Sequence, residues 1–388
     1  LLENIGMFSN LKRGISVALA SLALAACQVI PGGSGPGGTG PVTQGPSETE
    51  LPQDEGRHRV ALLVPLSGAN GEVGQSIANA TTMALLDTSA ENLRITTYDT
   101  AAGAANAARR AVADGNALIL GPLLRDNVSA VLAQARPAGI PMITFSNDTS
   151  IAQRDVFVMG HIPEQSISRT VQYATSKGAR RFAALVPEGE YGRRVLGALQ
   201  EAAAAGSAQV VAIESYARGN TSIVSAAARL EAKGGYDTVL IADGARLAMM
   251  AAGELKEAGA VLPSIIGPEL WGGEDALTRN AAMRGAWFSS VSDGRYDQFV
   301  TSYESRFGGS PYRVATLGYD AVLLTLRIAR DWRPGRAFPT DKLTDRGGFL
   351  GLDGPFRFRS DGIGERSMEV RQVGNGTFTV VDAAPRQF

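Results

Sequence analysis

The sequence predicts an α/β body in two lobes, with parallel sheets flanked by helices and antiparallel strands at the C-terminus. Three observations predict it. From His58 onward, short Val/Ile/Leu runs alternate with amphipathic stretches, and continuous apolar strands alternating with helices require parallel sheets covered on both faces. The alternation starts afresh near Glu164 and returns once more after Trp287, which implies two α/β units. In the tail, alternating runs are joined by Asp-Gly and Gly-Asn-Gly turns, the mark of antiparallel strands. The length of 388 residues agrees with two or three folding units at roughly 150 residues each.

The first series opens with a strand at Arg59–Pro65 and a helix from about Gln75 to Asp87 with Ile77, Ala80, Ala84 and Leu85 on one face. Leu93–Asp99 is a strand and Ala104–Asp114 a helix. Ala117–Leu120 is a strand, and the next helix aligns Val128, Val131, Leu132 and Ala135. Short strands follow at Pro141–Ser146 and Phe157–Gly160. In the second series the strands are Phe182–Pro187, Val210–Ser215, Thr238–Asp243 and Ser264–Gly267, and the helices lie near 164–177, 190–205, 222–233 and 246–258. Trp287–Val291 is a strand, followed by helices at 296–307 and 314–330, the latter with Leu317, Ala321, Leu324 and Ile328 facing the core. Phe356–Phe358, Met368–Val373 and Phe378–Val381 are the tail strands. One internal echo is visible: Val64-Pro65 and Val186-Pro187 each end a strand before a glycine-containing turn and a helix.

Ahead of the body, Lys12 and Arg13 precede the apolar run Ile15–Ala26, whose 12 residues are too few to span a bilayer but suit a signal-peptide core. Leu24-Ala25-Ala26-Cys27 resembles a bacterial lipobox, which implies cleavage before Cys27 and lipidation of its thiol; the alternative is a lone buried cysteine. The Gly/Pro/Ser/Thr-rich stretch that follows cannot bury enough apolar surface to offset its ordering entropy. It reads as a flexible tether with a reach of roughly 30 Å. Gln28 after the cysteine, by resemblance to enterobacterial lipoproteins, favours the outer membrane. The expected organisation is a signal peptide over 1–26 and an anchored tether over 27–57.

Composition excludes several classes. Lys+Arg is 37 against Asp+Glu 38, a net charge of −1, so a basic nucleic-acid binder is not expected. One Cys and two His leave no disulfide framework and argue against a His/Cys metal cluster. H-E-x-x-H and G-x-S-x-G are absent from the sequence, as are a Walker A run and, after Cys27, S-x-x-K. No catalytic residue and no cofactor is assigned. Gly68, Gly71 and Gly74 form G-x-x-G-x-x-G rather than the dinucleotide spacing G-x-G-x-x-G. His161, near the first expected passage between lobes, reads as structural.

The segments VALLVPLSGANGEVGQSIANATTMALLD (Val60–Asp87) and LILGPLLRDNVSAVLAQARPAGIPMITFSND (Leu118–Asp148) resemble the type I periplasmic binding proteins of the leucine/isoleucine/valine receptor superfamily. Within it, IIGPELW (Ile265–Trp271), GAWFSSV (Gly285–Val291), LGYDAVLLTL (Leu317–Leu326) and GFLGLDGPFRFRSDGIGERSMEV (Gly348–Val370) resemble the penicillin-binding protein activators. The resemblance covers about 58–385. It implies three passages between lobes, an N-terminal lobe of 58–162 and 285–340, a C-terminal lobe of 163–284 and 341–388, and a ligand cleft between them that closes by hinge motion.

Open α/β sheets bind ligands beyond the carboxyl ends of their strands, and that rule selects the candidate residues. Ser67, Gly68 and Asn70 occupy the first loop, ahead of a helix start that favours an anion; a plain tight turn is the alternative. The loop after Gly121-Pro122 presents small or hydroxyl residues to the ligand carboxylate in amino-acid receptors, whereas here it offers Leu123. Ser146 and Asn147 sit at a strand end, for ligand contact or turn capping. On the other lobe, Tyr191 matches a tyrosine that packs on ligands in the receptors, and Asp243 ends a strand. Glu269 lies in the loop where the receptors carry an acid that holds the ligand ammonium, with Trp271 beside it to stack on a ligand or fill the hinge. Two functions follow from the resemblance. One is a non-catalytic lipoprotein that regulates a peptidoglycan synthase (a penicillin-binding protein). The other is a receptor for an amino-acid-like solute serving an ABC importer.

Overall fold

The computed structural model describes residues 56–257 and 263–386. Cys27, the signal peptide over 1–26 and nearly all of the tether lie outside the described residues. None of the described helices is long and apolar enough to cross a membrane.

The chain first builds a parallel βα series: β1 (His58–Val64), α1 (Gly71–Asp87), β2 (Leu93–Asp99), α2 (Ala104–Ala113), β3 (Leu118–Leu120), α3 (Arg125–Ala135), β4 (Met142–Thr144) and β5 (Val156–Val158). These strands form one sheet of order β2-β1-β3-β4-β5, parallel throughout. The second series is α4 (Pro163–Ser176), β6 (Arg181–Pro187), α5 (Glu190–Ala205), β7 (Gln209–Tyr216), α6 (Ser222–Lys233), β8 (Thr238–Ile241), α7 (Ala245–Glu257), β9 (Ser264–Gly267), α8 (Ala276–Arg279) and β10 (Trp287–Ser290). Then come α9 (Tyr296–Phe307), α10 (Thr316–Ala329), β11 (Phe349–Gly351), β12 (Gly354–Phe358), β13 (Gly364–Arg366), β14 (Glu369–Val373) and β15 (Phe378–Asp382). The second sheet has the order β15-β14-β10-β9-β8-β6-β7, with β14 and β15 antiparallel, and β11-β12-β13 make a small antiparallel sheet.

The unbroken apolar strands follow from burial on both faces, because alternate side chains point to opposite sides. Val60, Leu62 and Val64 pack with α1 and with Leu317, Ala321 and Leu324 of α10, while Ala61 and Leu63 pack with Ala107, Ala111, Val128 and Val131 of α2 and α3. In the second sheet Ala183 and Leu185 face Ile223, Ala227 and Ala248 of α6 and α7, while Phe182, Ala184 and Val186 face Ile167, Val195 and Leu199 of α4 and α5.

Three details differ from the sequence expectation. The first helix begins at Gly71, about a turn before Gln75. Gly74 discourages a helix reading, yet a Cβ there would stand 1.7 Å from the Pro65 carbonyl oxygen, so the close helix–strand approach requires glycine. Gly192 repeats the device against Pro187, at 1.8 Å, which is the physical content of the echo between the two series. Second, 285–291 belongs with the second lobe rather than the first, because Trp287 and Phe288 pair with Ile266 and Gly267 and Phe288 sits in that lobe's core. Third, the segment after 340 does not go wholly to the second lobe. Phe349, Phe356 and Phe358 pack into the core under β1 and α10, and only β14 and β15 join the second sheet. The passages between lobes thus fall between β5 and α4, between β10 and α9, and between β13 and β14.

Candidate functional site

The carboxyl ends of the two sheets open onto one cavity of about 720 Å³. Its first wall comes from the loops after β1, β3 and β4: Asn70, Val73, Leu123, Phe145, Ser146 and Asn147. Its second wall comes from the start of α5 and the loop after β9: Glu190, Tyr191, Arg194, Glu269, Leu270 and Glu274. Six of the ten candidate residues therefore lie on it: Asn70, Leu123, Ser146, Asn147, Tyr191 and Glu269.

The other four lie outside the lining. Ser67 and Gly68 are exposed on the turn before α1, and Ser67 caps nothing with its side chain. Asp243 is buried and accepts from the Tyr216 hydroxyl and from Arg218 Nε, both at 2.8 Å, so it organises the second lobe's loops from behind. Trp271 neither stacks on a ligand nor fills the hinge: it is fully buried in the second core, and its Nε1 donates to the Asp243 carbonyl at 2.8 Å.

The two walls differ in how far their polar groups are satisfied. On the first, Thr144 Oγ1 donates to the Pro122 carbonyl at 2.7 Å, Ser146 Oγ accepts from the Asp148 amide at 3.2 Å, and Asp148 accepts from Ser150 N and from Arg125 at 2.5 Å. Burial opposes ionisation of Asp148, but the Ser150 hydrogen bonds and the Arg125 and Arg194 charges outweigh it and hold its pKa below the ordinary value. On the second wall, the Tyr191 hydroxyl and Glu269 Oε2 are sealed from solvent with no hydrogen-bond partner. Burial pushes the Glu269 carboxyl up to about 7; Glu164 adds to the rise, while its own loop amide, Arg194 and Ser166 oppose it. The Tyr191 hydroxyl is likewise pushed up by burial and by the Glu269 charge. Its ring lies 4.7 Å beneath the Arg218 guanidinium.

Two arginines tie the walls together. Arg125, at the start of α3, binds Asp148 on its own lobe and Glu190 across the cleft at 2.7 Å. Arg194, on α5, binds Glu164 at 2.6 Å and donates to the Asn147 carbonyl of the first lobe at 2.8 Å. The sequence marked neither arginine: each is one charge near the start of a helix, a common solvated position, and only the fold brings them over the cleft.

The floor is a buried ionic cluster at the passages between lobes. Asp353, fully buried, takes His161 Nε2 at 2.8 Å, Thr316 Oγ1 at 2.8 Å and Arg313 at 3.0 Å. Arg313 also binds Asp293 at 2.5 Å, and Arg371 of β14 reaches the same Asp293. Burial lowers the His161 pKa against the pull of Asp353. Burial opposes ionisation of Asp353, and the His161, Arg313 and Arg366 interactions overcome it and hold its pKa well down. Asp320 is pushed up by burial and by the neighbouring Asp353 charge. Among the described residues no group of His, Cys, Asp and Glu is arranged to hold a metal.

Comparison with known proteins agrees with this architecture. The family described as "Periplasmic binding protein" matches residues 58–377. An uncharacterised protein of Rickettsia prowazekii is 29% identical over 143 residues, 36% of this chain and 38% of that protein. The penicillin-binding protein activator LpoA of Photobacterium profundum is 28% identical over 149 residues, 37% of this chain and 24% of the activator. The chain thus spans well under half the length of these curated relatives. A solved structure of a putative branched-chain amino acid ABC transporter from Rhodospirillum rubrum superposes with a TM-score of 0.73 at 19% identity, over 84% of this chain and 100% of that one. That likeness is one of fold: two α/β lobes, parallel sheets flanked by helices, and antiparallel strands near the C-terminus.

Proposed function

We propose, on the premise that the chain belongs to the periplasmic binding protein family, that it is a non-catalytic extracytoplasmic receptor that holds a small molecule between its two lobes. The observation that carries this reading is the pair of sealed, unpartnered polar groups on one wall of the cavity, Tyr191 Oη and Glu269 Oε2. Leaving such groups unsatisfied costs about 1–3 kcal/mol each, more for a charge. A ligand that satisfies them recovers that cost on binding. The family's solute receptors and the R. rubrum relative, described as a branched-chain amino acid ABC transporter, support a role in delivering a solute to an importer. Asn70, Leu123, Ser146, Asn147 and Tyr191 are the proposed contacts, with Glu269 as the polar anchor. The test is a thermal-unfolding screen of the full chain against amino acids, amines and aromatic acids. A ligand is expected to raise the midpoint by a few degrees, with the shift lost in Glu269→Ala. A flat screen contradicts the reading.

The likeness to LpoA supports a second reading, a lipoprotein anchored through Cys27, in the outer membrane, that regulates a peptidoglycan synthase through the surface of its lobes. It predicts a crosslink in cells to a bifunctional penicillin-binding protein and a membrane association that Cys27→Ser abolishes. Crosslinked cells containing no such synthase contradict it.

A further inference from the structure

The charges around the cavity narrow the ligand beyond the general receptor reading, on which this inference rests. Every arginine on the lining is already engaged. Arg125 is bound to Asp148 and Glu190, Arg194 to Glu164, and Arg313 to Asp293 and Asp353. The lining acids are Asp148, Glu190, Glu269 and Glu274, and of these Asp148 and Glu190 share Arg125. The Glu269 carboxylate makes no ion pair, and its Oε2 makes no hydrogen bond, although Glu164, Arg194, Ser166 and Tyr191 all face it from α4 and α5. The Ser166 hydroxyl, which donates to the Ser289 carbonyl at 2.7 Å, leaves Oε2 without a partner. Opposite, the first wall offers the apolar side chains Leu123, Val73 and Phe145, the neutral polar ones Asn70, Ser146 and Asn147, and the Arg125–Asp148 ion pair.

A ligand carboxylate entering here finds no free cation and faces two acids. A ligand cation finds an unspent carboxylate in a site of low dielectric, where a charge-assisted hydrogen bond is strongest. We infer that the cleft selects an organic amine with an apolar body and no free carboxylate, its ammonium on Glu269 and its body against Leu123 and Phe145, rather than a zwitterionic amino acid. Because the empty site favours a protonated Glu269, binding an ammonium expels that proton, and affinity rises from pH 6 to pH 8 for any amine still charged there.

Three probes share one isobutyl body and differ only in charged groups: isopentylamine, L-leucine and isovalerate. Thermal unfolding of the full chain is measured with each, at pH 6 and pH 8, for the wild type, Glu269→Gln and Tyr191→Phe. The amine is expected to raise the midpoint by a few degrees, more at pH 8 than at pH 6, with leucine weaker and isovalerate silent. Glu269→Gln removes the amine shift and Tyr191→Phe reduces it, with far-UV circular dichroism unchanged. Leucine matching or exceeding the amine overturns the inference and leaves the receptor reading standing, as does a shift with isovalerate alone. An amine shift undiminished in Glu269→Gln overturns the placement of the ammonium. Silence from all three probes overturns the inference and leaves the receptor reading to the wider screen.

Discussion

The two walls of the cleft are built from the same unit, a parallel strand that ends in proline and turns into a helix over a glycine pressed against the proline carbonyl. Gly74 over Pro65 and Gly192 over Pro187 are the two instances. The side chains carried by the two walls nevertheless divide the labour. The first wall ties Ser146 and Asp148 into its own hydrogen bonds and shows the cavity leucine, valine and phenylalanine. The second holds a carboxylate and a phenol in reserve. A shared scaffold fixes where the walls stand, and a handful of loop residues fixes what they recognise. Fold likeness at 19% identity therefore extends to the scaffold and leaves the chemistry of the cleft to be read residue by residue.

The largest expected effect removes the floor on which both walls rest. Asp353→Ala strips the shared carboxylate from His161, Thr316, Arg313 and Arg366 and should cost about 3–5 kcal/mol in urea unfolding, because Arg313 and Arg366 keep their charges. A loss below about 1 kcal/mol would mean that the cluster does not hold the passages between lobes. Gly74→Ala and Gly192→Ala probe the shared unit. Each added Cβ meets a backbone carbonyl oxygen, at 1.7 Å and 1.8 Å, and each should cost about 1–3 kcal/mol. Unequal costs would show that the echo is not a common structural device.

Other effects sharpen the contrast between the walls. With the Glu269 pKa near 7 in the folded protein and 4.5 as its ordinary value, the folded state holds the extra proton. Stability therefore falls as pH rises from 4.5 to about 7. This contribution is about 3 kcal/mol and should vanish in Glu269→Gln, as measured by denaturant midpoints across that range. Arg125→Ala should cost under about 1 kcal/mol, since the arginine is 45% exposed. Its signature is a wider distribution of lobe-to-lobe distances between spin labels, reproduced in the wild type by high salt.

Much of the fold was legible from His58 onward. The strand and helix alternation, the core face of α10 and the tail strands follow from periodicity alone. What escaped was governed by contacts distant in sequence. Whether the strand at Trp287 joins the first or the second sheet depends on its pairing with Ile266, and nothing local to Trp287 encodes that pairing. The strands β11 and β13 have three residues each, too short for a period to register. At the site, the rule that ligands sit beyond strand ends brought Leu123, Ser146, Tyr191 and Glu269 into view, and all four line the cavity. The same rule also selected Trp271 and Asp243, which face inward, because a residue's place in a loop does not reveal which way its side chain turns. Arg125 and Glu190 stayed hidden as ordinary charges in the first turns of helices, 65 residues apart, until folding set them 2.7 Å from each other.

The contrast between a spent wall and an unspent one is tested most directly by the pH titration of the Glu269 side-chain carboxyl carbon in the empty protein. The resonance would be followed by carbon NMR and assigned by its absence in Glu269→Gln. A midpoint near 7 is the value this account predicts for a carboxyl buried in the cleft without an ion-pair partner. A midpoint at or below 4.5 would mean that the group is hydrated or paired, and would contradict it.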